Sequence, residues 1–160
     1  MTQQAPGEER ARRLEAAAEP IIRRAEGLSE EVLYRVPAEG DWSAMMVLAH
    51  VAEILPYWAR QAKEVAARER DNEPYGRTHD DPDRIAAVEQ HARDRLADVL
   101  PRLRAGLAEA TAILRAIPPE RWTRTGRHAR RGEMSVARIV DEFLLEHLEE
   151  HRRQLEATIG

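Results

Sequence analysis

The chain contains no cysteine. That excludes disulfides, zinc–thiolate sites and a protein thiol nucleophile. It also lacks any apolar run long enough to cross a membrane. The first residues, MTQQAPGEERARR, have no apolar core of the signal-peptide kind. Together these absences make the cytoplasm the expected location. Strand patterning is nearly missing as well, because Val, Ile, Thr and the aromatics never alternate with polar residues over a strand length. There is no phosphate-binding glycine loop and no serine-centred elbow motif. Of 25 basic residues only Lys63 is a lysine. The net charge of −4, with both signs interspersed, argues against nucleic acid as the main partner.

What is present suits one globular domain spanning 1–160. The 42% hydrophobic and 34% charged residues are globular proportions, and 160 residues suffice to bury a core without staples. Ala, Leu, Glu and Arg dominate, which favours helices. Four long helices are expected, at about 8–26, 43–70, 82–117 and 135–158. Pro20 should kink the first or restart it, and Gly27 should end it. A short helical turn capped by Ser29 should follow. Ser43 and Ser135 suit caps of the second and fourth helices, and Asp81–Pro82 suits the start of the third. The third should bend near Pro101. The stretch 71–81 reads as a polar linker, and 122–134 as a basic loop. The expected fold is all-α, a four-helix bundle.

The fourth helix carries the first chemical signal. His147 and His151 are one turn apart, on a line continued by Val136, Val140 and Phe143. Two imidazoles therefore stand where an amphipathic helix would place apolar side chains. His50 does the same in the second helix, between Val47 and Ile54. A buried imidazole needs a partner for each ring nitrogen. A shared divalent metal supplies one to three rings at once, and neutral imidazole suits zinc, nickel, iron or copper. Among six histidines a pair four apart arises by chance roughly one time in six, so the inference rests on the face rather than the spacing. At 1.5 Å per residue, His50 lies roughly 10 Å from the start of its helix and His151 roughly 10 Å from the end of its own. The three rings reach one depth if the second and fourth helices run antiparallel. The linker at 71–81 can span roughly 36 Å when extended, which would carry the chain back and leave the second and third helices parallel.

These residues resemble the DinB superfamily. The matching blocks are Asp41-Trp42-Ser43 followed by His50 and Glu53, then His128 and Gly132 before Met134-Ser135, then His147-Leu148-Glu149-Glu150-His151 and Gln154. They span essentially the whole chain in the expected order. The resemblance implies a four-helix bundle with antiparallel second and fourth helices. It also implies a divalent ion, zinc or nickel, on His50, His147 and His151. Many relatives carry Asp where Leu148 stands here, a difference that concerns the surroundings of the ligands. Because superfamily members include transferases and isomerases that use bacillithiol or mycothiol, the resemblance further implies a low-molecular-weight thiol and a small-molecule substrate.

Two other functions fit the sequence. One is a non-catalytic, stress-related metal-binding bundle, and the other a metal-free dimerisation module. A homodimer is compatible with all of these readings. Glu53 could orient a ring, bind the ion or be a solvated charge. Asp141 and Glu146 read as solvated helix charges. A ferritin-like di-iron site is not expected, since no histidine of the trio has Glu three residues before it. The arginines at 121, 124, 127, 130 and 131, with His128, could grip an anion or simply face solvent; they are poor candidates for substrate contacts if their loop stays at the opposite end of the bundle and better ones only if it folds back along the helices. Trp42, Trp58 and Trp122 read as packing anchors. His79 and His91 carry no assignment.

Overall fold

The computed structural model describes residues 4–160, so the first three residues of the expected domain lie outside the described residues. Helix α1 spans Pro6–Glu26, the short α2 Glu30–Tyr34 and α3 Ala44–Ala67. Strand β1 is Glu73–Pro74. Helices α4, Pro82–His91, and α5, Leu96–Ala116, follow. A hairpin of β2, Thr125–His128, and β3, Gly132–Ser135, leads into α6, Val136–Val140. A π-helical turn, Asp141–Glu146, joins α6 to α7, His147–Ile159. The four bundle helices are thus α1, α3, the α4–α5 pair and the α6–α7 rod. Ser29, Ser43, Asp81 and Ser135 cap their helices through side-chain oxygens, as their positions in the sequence predict.

Cross-helix contacts fix the directions. His50 packs on His147 and His151, while Trp58 stacks on Phe143. Numbers rise in α3 as they fall in the fourth rod, so the two run antiparallel. Gly106 abuts Ala52 and Pro56, and Arg60 pairs with Glu109. Here both numbers rise together, so α3 and α5 run parallel. Arg115 pairs with Glu8 and Arg104 with Glu26, which sets α1 against α5. Arg10 pairs with Asp141 and Arg24 with Glu156, so α1 runs with the fourth rod. The chain therefore goes up, down, down, up. One continuous apolar core threads all four helices, from Leu14 and Ile21 through Met45, Leu48 and Leu55 to Leu103, Leu114, Ile139 and Leu148.

Several expectations need correction. Residues 122–134 are not a plain loop: β2 and β3 pair antiparallel, and β1, from the expected linker, adds in parallel beside β2. Gly126 permits this, since a Cβ there would lie 2.6 Å from the Tyr75 ring. Gly132, at φ 74°, makes the tight turn. The third helix is two helices, broken at 92–95, and α5 runs on through Pro101. Asp94 sits in the break, held by His91 and Arg102, and its carbonyl accepts from the Tyr34 hydroxyl at 2.5 Å. Helix α1 runs on through Pro20, which therefore does not restart it. The proline lies on the exposed side, as does Ala16, so the carbonyl that it deprives of a donor can be hydrated. Gly27 does end α1, but with φ −93° instead of a left-handed cap.

Candidate metal centre

His50 is fully buried on α3, about two turns from the Ser43 cap. His147 and His151 face it from α7. Ring centroids are 5.8 Å apart for His50–His147, 4.6 Å for His50–His151 and 4.5 Å for His147–His151. One nitrogen from each ring lies within 4.8 Å of the others. The π turn ends at Glu146, directly before His147. Such turns carry one extra residue per turn and re-aim the side chains that follow.

The hydrogen bonding is incomplete in an informative way. Among the described residues neither nitrogen of His50 has a hydrogen-bond partner, nor has Nδ1 of His147 or Nε2 of His151. His151 Nδ1 lies 2.8 Å from Gln154 Oε1. An amide oxygen only accepts, so Nδ1 carries the proton and Nε2 presents a bare lone pair. Burial disfavours the charged ring, pushing His50 down to about 2 and His151 to about 4, and His147 is lowered by the same cause. Three neutral rings with free lone pairs, turned toward one point, fit a divalent ion of the zinc or nickel type. Nitrogens within 4.8 Å of one another are close enough for one ion to be shared by the three rings. Trp42, half-buried, packs its ring against His50 in a T-shaped contact at 5.2 Å.

Beside the rings is a cleft of about 400 Å³. His147 forms part of its floor, with Trp58 and Phe143. It opens on the flank of the bundle, beside the middle of α3 and of the fourth rod. Its roof comes from the 71–81 segment and the hairpin, so of the two positions open to the basic stretch the structure shows the one folded back along the helices. Arg121 and Arg124 bond to the carbonyl of Arg68, and Arg127 to that of Asn72, so these three brace the fold. Arg130 and Arg131 reach the cleft. So do Arg77, His79 and Arg84, which sequence reasoning missed or left unassigned. Nothing local marks them, because only the returning linker and α4 bring them over α7.

The remaining candidates find other work. Glu53 pairs with Arg77 at 2.5 Å, not with a histidine. Arg77 also lies over the Tyr57 ring at 3.8 Å. His128 has both nitrogens engaged. Nδ1 accepts from the amides of Arg130 and Arg131, so Nε2 donates to the Arg77 carbonyl at 2.9 Å. It fastens the hairpin to the linker. His91 pairs with Asp94 at 2.7 Å. Asp141 is bonded by Arg10, while Glu146 and Glu150 stand exposed on the cleft wall. Trp58 and Trp122 are packed in the core, as expected of anchors.

A profile of the DinB superfamily matches residues 13–155. The chain belongs to the DinB superfamily. This DinB protein also resembles solved structures in fold. YfiT from Bacillus subtilis, described as a probable metal-dependent hydrolase with an unusual four-helix bundle topology, is 17% identical with a TM-score of 0.76, over 95% of this chain and 85% of that one. A DinB-like protein, yjoa, from Bacillus subtilis is 16% identical with a TM-score of 0.67, over 94% and 89% of the two chains. A mycothiol-dependent maleylpyruvate isomerase is 15% identical with a TM-score of 0.67, over 99% of this chain but only 62% of the isomerase. No curated protein sequence matches. Among the described residues no helix is long and apolar enough to cross a membrane.

Proposed function

We propose that His50, His147 and His151 hold one divalent ion, zinc or nickel, and that the protein is a metal-dependent S-transferase or isomerase working with a low-molecular-weight thiol. The observation that carries this reading is the set of buried, neutral rings whose lone pairs have no partner and whose one partly open member, His147, floors a cleft. A structural histidine cluster would spend those nitrogens on hydrogen bonds, as His128 does. Three protein ligands leave a further coordination position, the pattern of catalytic rather than structural sites. An ion there supplies a positive centre that favours the anion of an incoming thiol at neutral pH. The chain's own residues do the rest. Gln154 fixes the tautomer of His151, Trp42 packs against His50, and the cleft walls align the reactants over His147. The chain has no cysteine, so the nucleophilic sulfur must arrive with the co-substrate. A small-molecule thiol of the bacillithiol or mycothiol kind suits a cleft of about 400 Å³.

The test is spectroscopic and kinetic. Nickel-loaded protein is titrated with small thiols, and conjugation of a generic electrophile is followed with and without chelator. A new absorption band on thiol addition and a chelator-sensitive rate are expected. Bound metal with neither response would leave a metal-stabilised bundle without thiol chemistry.

A further inference from the structure

The cleft's positive charges are not equivalent. Arg77 is matched by Glu53, and Arg131 lies 3.3 Å from Glu142. Arg84 and Arg130 both lack a carboxylate within ion-pair distance among the described residues, but Arg130 is exposed to water while Arg84 is half-buried. Its guanidinium makes one hydrogen bond, from Nη1 to the His79 carbonyl at 2.9 Å. Its Cζ lies 5.7 Å from the Trp42 ring, which itself packs on His50. The neighbouring acids are committed elsewhere, Glu53 to Arg77 and Asp81 to capping α4 through the Arg84 amide. Arginine cannot shed its proton in a protein. A half-buried guanidinium with most of its five donors idle, at the rim of a cleft, is a site for an oxyanion. Burial and the like charge of Arg77 both weigh against the cation, and its field acts on all three histidines. Glu142, Glu146 and Glu150 line the cleft from the fourth rod, the far side from α4. An anionic group entering the cleft is therefore repelled from one wall and drawn to the other.

We infer that Arg84 is the anion anchor of this cleft: the substrate or thiol co-substrate carries a carboxylate or phosphate that docks on the Arg84 fork while its reacting end lies over His147. This rests on the metal reading above. It has a consequence that a merely structural arginine would not produce. An ion at the histidines and the Arg84 cation repel each other, and an anion placed between them relieves that repulsion. Metal and anion must therefore strengthen each other's binding by one and the same factor.

The experiment measures zinc affinity by calorimetry on chelator-treated protein, for the wild type and Arg84→Gln. Zinc is titrated alone and with 3-mercaptopropionate, 2-mercaptoethanol, succinate or inorganic phosphate. In the wild type, 3-mercaptopropionate should tighten zinc about tenfold more than the uncharged 2-mercaptoethanol does. In Arg84→Gln, zinc alone should bind about threefold tighter, because a repulsive charge is gone. The advantage of the carboxylate should vanish. A gain with phosphate and with neither carboxylate supports the same anchor and assigns the group as phosphoryl. Arg84→Lys, which keeps the charge but loses the fork, should bind zinc alone as the wild type does and keep only part of the anion gain. An equal anion gain in wild type and Arg84→Gln overturns the inference, as does weaker zinc binding by a folded Arg84→Gln. A second arm needs no metal: succinate or phosphate should raise the melting temperature of the metal-free wild type and leave Arg84→Gln unmoved. If zinc fails to bind but this arm succeeds, the metal reading falls and the anchor stands. If zinc binds and no anion discriminates the variants, the anchor falls alone.

Discussion

Two histidine sites border one cleft in this bundle, His147 of the trio on one side and His128, packed on Trp58 and Phe143, on the other. His128, 5% exposed, uses both nitrogens on main-chain groups of the hairpin and the linker. His50, wholly buried, uses neither. The same side chain at the same depth is a finished structural joint in one place and an unsatisfied donor set in the other. Depth does not separate a core histidine from a ligand; the accounting of ring nitrogens does. An unpartnered buried nitrogen is a standing cost to the fold, and it is tolerated where something else is meant to take the lone pair.

The contrast should appear first in stability. His128→Ala removes the acceptor of two amides and the donor to Arg77, together with a ring packed on Phe143. Unfolding in urea should show a loss of about 2–4 kcal/mol, with metal stoichiometry unchanged. A smaller loss would mean that the hairpin is held mainly by its own ladder. His50→Leu should go the other way. It replaces two unsatisfied nitrogens by apolar atoms of similar volume, so the metal-free variant should gain about 1–2 kcal/mol over the metal-free wild type. The added stability that zinc gives the wild type should be lost. If the metal-free variant is instead less stable, the His50 nitrogens have partners that the fold conceals.

The pH dependence sharpens the same point. Burial lowers all three rings below the ordinary histidine value of 6.5, to about 2 for His50 and about 4 for His151. Between those values and 6.5 the unfolded chain binds more protons than the folded one, so stability rises with pH. The metal-free wild type should therefore lose stability steadily as pH falls from 6.5 toward 4. The slope should be shallower in His50→Leu, and equal slopes in thermal melts would contradict the burial account. The smallest effect is expected of Glu53→Gln. It breaks a largely buried pair with Arg77 and should cost about 1 kcal/mol. Zinc stoichiometry should stay at the wild-type value, and a drop would make Glu53 a ligand after all.

Much of this was legible in the sequence because local chemistry dictated it. Ser29, Ser43, Asp81 and Ser135 are side chains that bond the first free amides of a helix, and each helix begins where they stand. The antiparallel and parallel pairings followed from the depth of His50 and His151 and from the reach of the 71–81 segment. The break at Asp94 was not legible, since no proline or glycine marks it and its supports, Tyr34 and Arg102, come from other elements. The hairpin was hidden by its arginines, although Gly126 and Gly132 were its signal. Arg84 could not be found locally, since α4 carries it to histidines that lie far away in the chain.

The most direct measurement is the metal content of the purified protein, wild type against the triple variant His50→Ala, His147→Ala, His151→Ala, after equal loading with zinc or nickel and desalting. Elemental analysis should give one ion per wild-type chain and none above background in the variant, and X-ray absorption of the wild type should show about three imidazole nitrogens at 2.0–2.1 Å. Equal metal in a folded triple variant, or a first shell without imidazole, would contradict the assignment of these three histidines as the metal centre.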